Sequence, residues 1–140
     1  RSRLARGGHV VLAVDTNVLV RVLVDDATAS DQCRAARQVV SEAGEVFVSQ
    51  VVQIETVWVL VSAYGLSKTR LQAALGAIAG HPAFHLQRPE MFRVALQQYL
   101  AGHADFADCM ILAESAEAGC ELLTFDRKLG KLPGVRLIPR

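Results

Sequence analysis

The sequence lacks the features that place many chains in a class at once. No uninterrupted apolar run approaches the ~20 residues that a membrane-spanning helix needs, so we expect no membrane span. The phosphate-cradling motifs G-x-G-x-x-G and G-x-x-x-x-G-K-[ST] do not occur, and neither does the zinc motif H-E-x-x-H. The chain is also not disordered, because 51% of its 140 residues are hydrophobic and 21% are charged.

Cysteine is scarce, and its spacing indicates neither disulfide bonds nor a metal site. Cys33, Cys109 and Cys120 are odd in number and lack C-x-x-C spacing, which fits neither a set of disulfides nor a structural zinc site. We expect buried, reduced thiols in a cytoplasmic protein. Residues 1–9 lack an initiator Met and the apolar segment of a secretion signal, and we interpret them as an N-terminal arm or an artificial remnant.

Net charge is also nearly absent. The chain has 15 Lys and Arg against 14 Asp and Glu, which gives +1. Arg1, Arg3 and Arg6 precede the first apolar segment, so the remainder holds only 12 basic residues against the same 14 acids. The chain therefore lacks the overall excess of positive charge that is typical of nucleic-acid-binding proteins. A polyanionic substrate would have to be held by local basic residues or by metal ions.

Short apolar segments alternate with segments of helical pattern. The pattern predicts strands at Val10–Val14, Glu45–Ser49, Ala83–Gln87, Cys120–Phe125 and Val135–Ile138. It predicts helices at Val18–Val24, Ala29–Ala43, Gln50–Ala63, Ser67–Gly80, Pro89–Leu100 and Asp105–Gly119. The strands are apolar without alternation, as in parallel sheets that are buried on both faces. We therefore predict one domain over residues 10–140, an α/β three-layer sandwich with a mostly parallel sheet of about five strands flanked by helices.

Four acidic residues lie at positions where a parallel sheet of this kind binds its ligands. Asp15 directly follows the first strand, and Asp126 directly follows the fourth. Glu55 lies about one turn into the helix that leaves the second strand, and Asp108 lies in the first turn of the helix that leads to the fourth. Because ligands bind at the carboxyl ends of the strands in open parallel sheets, we expect all four acids at one rim.

A rim of carboxylates indicates a metal ion. Close carboxylates repel one another, and one of them takes up a proton unless a cation neutralises the group. Mg²⁺ and Mn²⁺ prefer oxygen ligands and keep several waters. A water bound to such an ion is a nucleophile at neutral pH, and the ion stabilises charge on a phosphodiester during its transfer. The four acids therefore predict metal-dependent phosphoryl transfer.

Each acid also has a structural interpretation. An isolated Asp or Glu is usually a solvated surface group. Asp105 fits a helix N-cap better than a metal ligand, Asp108 fits a favourable charge in a first helical turn, and Asp126 fits a turn. Asp15 and Glu55 favour a site, because the first ends a buried apolar strand and the second lies in an apolar helix, where an acid is costly unless paired or metal-bound.

The residues around these acids resemble the PIN-domain ribonucleases, in particular the toxin subunits of VapBC-type (type II) toxin–antitoxin systems. Four fragments carry the resemblance, in the order Val14–Leu19, Gln53–Glu55, Asp105–Ala113 and Leu122–Leu129. Their order and spacing suit the whole of residues 10–140. One small departure is Cys109, where the family more often has a small residue such as Ala.

The resemblance implies a five-stranded parallel sheet, a Mg²⁺- or Mn²⁺-dependent endoribonuclease, and a homodimer held inactive by a small antitoxin. It assigns the metal-binding and catalytic roles to Asp15, Glu55, Asp108 and Asp126. Asp15 and Asp108 are the strongest candidates for direct ligands. It places three further residues beside these acids, namely Asn17, Thr124 and Asp105.

Other functions stay open from the sequence. A haloacid-dehalogenase-like phosphatase needs a second Asp two residues after the first, and Asn17 stands there instead. A PIN-fold RNA-processing nuclease without an antitoxin and a non-catalytic α/β interaction module are the remaining alternatives. Metal-dependent RNA cleavage separates the module from both nucleases.

Basic and aromatic residues have two interpretations each. Arg21 and three basic residues after Asp126 either grip RNA phosphates or form a solvated face; the three are Arg127, Lys128 and Lys131. Trp58, Phe92 and Tyr99 fit helical apolar faces, and we expect them in the core rather than as platforms for nucleobases.

Overall fold

The computed structural model describes residues 11–102 and 104–140. The chain divides into two compact units, one ending at Gln87 and the other beginning at Arg88. The predicted arm at residues 1–9 lies outside the described residues, and the single domain over 10–140 stays a prediction. No helix within the described ranges is long and apolar enough to cross a membrane.

The amino-terminal unit contains a three-stranded sheet and four α-helices among its described residues. In chain order these elements are β1 (Leu12–Ala13), α1 (Thr16–Leu23), α2 (Ser30–Ala43), β2 (Val46–Val48), α3 (Gln50–Ser62), α4 (Lys68–Gly80) and β3 (Phe84–Leu86). A 3-10 turn at Ala27–Ala29 joins α1 to α2. The strands pair in parallel in the order β1-β2-β3, with Leu12 opposite Val46 and Val46 opposite Phe84.

Local signals explain where these helices begin and end. Gly44 has a φ of 78°, a left-handed conformation that suits glycine, and its N–H donates to the carbonyl of Val40 to close α2. The Ser67 side chain accepts a hydrogen bond from the Arg70 N–H and starts α4. The predicted end of the second helix at Ala43 is confirmed, and the predicted start of the fourth helix at Ser67 is its N-cap residue.

The apolar core of this unit comes from α1, β2, α3 and α4, and α1 packs against both α2 and α3. Its most deeply buried apolar side chains are Leu19, Val20, Val46, Val48, Val57, Leu60, Leu71, Leu75 and Ile78. The prediction that the first strand is buried on both faces is wrong. Val14 is buried, but Leu12 is 41% exposed, because β1 lies at the edge of the three-stranded sheet.

The carboxy-terminal unit contains two α-helices and a two-stranded sheet within its described residues. The elements are α5 (Pro89–Leu100), α6 (Phe106–Glu117), β4 (Leu122–Thr124) and β5 (Val135–Leu137), with a 3-10 turn at Leu129–Lys131. The strands β4 and β5 run parallel, and Leu122 lies opposite Val135. The helices α5 and α6 pack together, with the rings of Phe92 and Phe106 edge to face and their centroids 5.7 Å apart.

The α/β fold class predicted from the sequence is confirmed. Every predicted helix and strand is present, and the five strands of the described chain all pair in parallel. They form two sheets, one in each unit, where the sequence predicts one sheet of about five strands.

Two burial predictions are wrong in part. Phe92 is buried as expected and Tyr99 is partly buried, but Trp58 is 69% exposed. Helix α3 is apolar nearly all round, so its pattern does not reveal which face is covered. The three cysteines are free, as expected; Cys33 and Cys109 are buried, but Cys120 is exposed in the turn before β4.

Candidate functional site

Asp15 is the residue that starts α1. Its Oδ1 accepts a hydrogen bond from the Val18 backbone N–H at 2.9 Å, which caps the helix. This capping hydrogen bond uses Oδ1 of Asp15, and Oδ2 takes no part in the cap. Asp15 is exposed, and Glu55 is exposed as well, so the argument that burial makes these acids costly is wrong for both. The position of Asp15 after β1 is as predicted.

Glu55 is tied to this helix start by Thr16. The Thr16 hydroxyl donates to Oε1 of Glu55 at 2.6 Å, between the first residue of α1 and the middle of α3. Since Thr16 directly follows Asp15, the structure brings two predicted acids from distant parts of the sequence close together. Sequence reasoning missed Thr16, although a hydroxyl beside the first acid was a signal that could have found it.

The start of α3 is anchored at the carboxyl ends of two strands. The buried side chain of Gln53 donates from Nε2 to the carbonyls of Val48 at 3.2 Å and Gln87 at 2.8 Å. Val48 ends β2, and Gln87 directly follows β3. The Gln50 N–H in turn donates to Oε1 of Gln87 at 2.9 Å. Glu55 therefore lies on a helix fixed at the sheet edge where the sequence predicts the site.

Asn17 lies in the first turn of α1 and is exposed. Among the described residues, no hydrogen bond joins its side chain to Asp15 or Glu55. Its predicted orienting role stays a prediction.

In the carboxy-terminal unit, Asp105 is the N-cap of α6. Its Oδ1 accepts a hydrogen bond from the Asp108 N–H at 2.9 Å, which confirms the structural interpretation of Asp105. Asp108 lies in the first turn of α6 and is partly buried. The two carboxyl groups are thus held at the same helix start.

Asp126 lies two residues beyond β4 and organises a turn. Its Oδ1 accepts from the N–H groups of Lys128 at 2.8 Å and Leu129 at 3.1 Å. The Asp126 N–H donates to the Thr124 hydroxyl oxygen at 3.0 Å. The turn interpretation of Asp126 is therefore correct, and Thr124 holds the backbone of this acid in place.

The acids of the carboxy-terminal unit act on one another. Partial burial raises the pKa of Asp108, and the nearby carboxylates of Asp105 and Asp126 raise it further, as does its hydrogen bond with Asp105. The pKa of the Cys109 thiol is raised to about 11, mainly by burial and to a lesser extent by the charges of Asp105 and Asp108. Cys109 is therefore a protonated thiol at neutral pH and not a nucleophile.

The structure thus forms two acidic groups, Asp15 with Glu55 and Asp105 with Asp108 and Asp126. Within residues 11–102 and 104–140, no three His, Cys, Asp or Glu side chains are arranged to hold a metal ion. One oxygen of Asp15, Asp105 and Asp126 is committed to backbone N–H groups. The donor chemistry still fits Mg²⁺ or Mn²⁺, because the donors are carboxylate oxygens. A cation would also relieve the repulsion from Asp105 and Asp126, which adds to burial in raising the pKa of Asp108. Convergence of all four acids stays a prediction.

The ion pairs formed between described residues do not include these acids. Among the described residues, the acids in ion pairs include Asp25, Asp26, Asp31, Glu45, Glu90, Glu117 and Glu121. None of the acids predicted for the site has a Lys, Arg or His partner in the described chain. Their negative charge is therefore uncompensated by the residues that the structure describes.

Arg21 fits neither interpretation made from the sequence. Its Nε donates to Oε1 of Gln32 at 2.8 Å, and its Nη1 donates to the Tyr64 hydroxyl at 2.8 Å. The Tyr64 hydroxyl donates to Oδ2 of Asp26 at 2.8 Å. Arg21 is therefore committed to a polar network that links α1, α2 and the residues after α3.

Comparison with known proteins identifies a family. The sequence pattern of the family described as the PIN domain matches residues 12–135, from the start of β1 to the start of β5. The match includes all the acids described above. Proteins with this domain are generally nucleases and typically use divalent metal ions. A search of curated proteins finds no significant match to the chain.

Proposed function

Because the chain belongs to the PIN domain family, we propose that it is a Mg²⁺- or Mn²⁺-dependent endoribonuclease that serves as the toxin of a type II toxin–antitoxin pair. The observation that carries the proposal is the set of predicted acids, which the described ion pairs leave without a cation. A metal ion needs carboxylates that no arginine or lysine already neutralises, and the other described Asp residues are all paired with arginine.

In this proposal four acids hold the divalent ion, namely Asp15, Glu55, Asp108 and Asp126. The ion, when bound, supplies a water that is nucleophilic at neutral pH. Asp15 and Asp108 act as direct ligands, each presented from the start of a helix. Hydrolysis adds the elements of water across one P–O bond of the RNA.

The remaining groups orient these acids. The Thr16 hydroxyl holds one oxygen of Glu55, and the caps at Asp15 and Asp126 select the orientation of each carboxylate. Thr124 holds the Asp126 backbone. Carboxylates that are already held in one orientation need little reorganisation when a metal ion or a substrate arrives.

Partners and location belong to the same proposal. We expect a homodimer in the cytoplasm, and the three free cysteines support a reducing compartment. We also expect a small antitoxin that inserts a basic side chain, Arg by preference, beside the acids. The uncompensated negative charge of these acids supports this mode of inhibition. If no small protein from the same operon co-purifies or inhibits, the processing nuclease without an antitoxin is favoured.

The test of the nuclease proposal is cleavage of mixed cellular RNA by the purified full chain. We expect cleavage with Mg²⁺ or Mn²⁺ and none with EDTA. Asp15→Asn and Asp108→Asn should each lower the rate by at least about 100-fold, because each removes a proposed ligand. Asp31→Asn is the matched control, since Asp31 is an exposed acid paired with Arg34 on α2.

Circular dichroism of each variant shows whether it remains folded. Full activity of either ligand variant contradicts the assigned site, and absence of cleavage by the wild type with every divalent ion contradicts the nuclease.

A further inference from the structure

An exposed aromatic ring lies directly before Asp126. Phe125 follows β4, and 54% of its surface is exposed. Leu123, within β4, is 57% exposed. A phenyl ring in water forgoes the free energy of burial, and the flat face of such a ring is the surface on which unpaired nucleobases stack.

One cation contacts this ring, and three more follow it within six residues of the sequence. The guanidinium carbon of Arg140 lies 5.8 Å from the Phe125 ring centroid, within the range of a cation–π contact. Three exposed basic residues follow on the same turn, namely Arg127, Lys128 and Lys131. In the described part of the chain, none of these four cations forms an ion pair with a carboxylate.

Most arginines elsewhere in the described chain are neutralised. Ion pairs engage six of them, namely Arg21, Arg34, Arg37, Arg88, Arg93 and Arg136. Four cations without a carboxylate partner in the described chain therefore contact Phe125 or follow it within six residues, next to Asp126, one of the acids proposed for catalysis. An anionic ligand with flat aromatic groups satisfies both the ring and the cations.

We propose that Phe125, Arg140 and the basic turn at residues 127–131 form a subsite for single-stranded RNA, in which one nucleobase stacks on the Phe125 ring. The lysines and arginines contact the flanking phosphates. A single strand is required because the bases of a duplex are already stacked and cannot present a free face. The choice of RNA rests on the proposed nuclease function, and the subsite adds how the substrate strand is held beside Asp126.

The experiment measures binding by the full chain in EDTA, where metal-dependent cleavage cannot occur. The probes are a fluorescent single-stranded RNA of twelve nucleotides and an abasic ribose-phosphate oligomer of the same length. Phe125→Ala should weaken RNA binding on the order of tenfold and leave binding of the abasic oligomer unchanged. Phe125→Leu, which keeps an apolar side chain at this position, should show the same selective loss.

Two charge variants complete the design. Lys128→Ala should weaken binding of both probes by a similar factor and reduce the salt dependence, because it removes a phosphate contact. Arg93→Ala is the matched control, since Arg93 is an exposed arginine on α5 of the same unit that pairs with Glu90. It should leave the binding of both probes unchanged.

The outcomes separate this inference from the nuclease proposal. Wild-type affinity of both Phe125 variants for RNA overturns the stacking subsite, and so does an equal loss on both probes. If the wild type binds neither probe, the subsite is also overturned. A selective loss for RNA supports the subsite even where the wild type fails to cleave RNA with any metal ion.

Discussion

At the scale of single residues, four of the five candidate acids are held by hydrogen bonds before any ligand arrives. Asp15, Asp105 and Asp126 each commit Oδ1 to a backbone N–H at the start of a helix or turn. Glu55 lacks such a bond and relies on the hydroxyl of Thr16. A side chain with one fixed oxygen loses less conformational entropy when its other oxygen binds a ligand.

The role of Thr16 can be tested without measuring catalysis. Thr16→Val keeps the shape of the side chain and removes the donor to Glu55, so we expect Mn²⁺ affinity to fall by about 10-fold. Thr16→Ser, which keeps the hydroxyl, should restore most of the affinity. Titration of Mn²⁺ followed by electron paramagnetic resonance measures both.

Thr69→Val serves as the control, because Thr69 is an exposed threonine near the start of α4. Unchanged Mn²⁺ affinity in Thr16→Val would show that the bond to Glu55 does not contribute to metal binding.

At the scale of elements, a polar network holds the helices of the amino-terminal unit. Arg21 on α1 bonds to Gln32 on α2 and to Tyr64 after α3, and Tyr64 bonds to Asp26 between α1 and α2. The pKa of Asp26 is lowered below its usual 3.8, chiefly by hydrogen bonds from Thr28. The hydrogen bond from Tyr64 is the next cause, and the charge of Arg21 adds to the shift. The network therefore contributes most while Asp26 is ionised.

Removal of the Tyr64 hydroxyl should destabilise this network. For Tyr64→Phe we expect Tm at pH 7 to fall by about 2–4 °C, the effect of one net hydrogen bond in a chain of this size. The pKa of Asp26 is lowered on folding, so the ionised carboxylate of Asp26 stabilises the folded state above pH 3.8. This stabilisation is lost as the pH falls through the lowered pKa.

The difference between wild type and variant should therefore shrink below pH 3.8. Thermal unfolding of both proteins across this pH range measures the effect. A difference that is as large at pH 2 as at pH 7 would contradict the role of the Tyr64–Asp26 bond.

At the scale of the whole molecule, charge is nearly balanced in number but unevenly paired. The chain carries 15 basic and 14 acidic residues. In the described ranges, the unpaired acids include all those proposed for metal binding, and four unpaired cations contact Phe125 or follow it within six residues. A nearly neutral protein can therefore present a site for a cation and a surface for a polyanion.

Metal binding by the folded chain should appear as added stability. An ion that binds the folded state alone, at 100 times its dissociation constant, adds about 2.7 kcal/mol to the free energy of unfolding. We expect Mn²⁺ to raise Tm of the wild type, EDTA to reverse the rise, and Asp108→Asn to abolish it. Scanning calorimetry measures these changes.

Asp31→Asn should respond to Mn²⁺ like the wild type, because Asp31 is exposed and paired with Arg34. A chain whose Tm ignores every divalent ion would lack the proposed metal site.

The elements and the helix ends could be predicted from the sequence because they depend on near neighbours. Gly44 closes α2 and Asp105 caps α6 through bonds that span a few residues. The placement of Asp15 after β1 and of Asp108 in the first turn of α6 follows from the same local signals. The family match over residues 12–135 confirms the resemblance to PIN domains, and the toxin subtype stays a prediction.

Only the tertiary structure decided which surfaces are covered and which side chains meet. Trp58 is exposed although its helix is apolar, and Arg21 is bound by Tyr64, 43 residues away. The hydrogen bond from Thr16 to Glu55 likewise spans 39 residues. Such contacts depend on how separate elements pack, and periodicity within one helix contains no information about its neighbours.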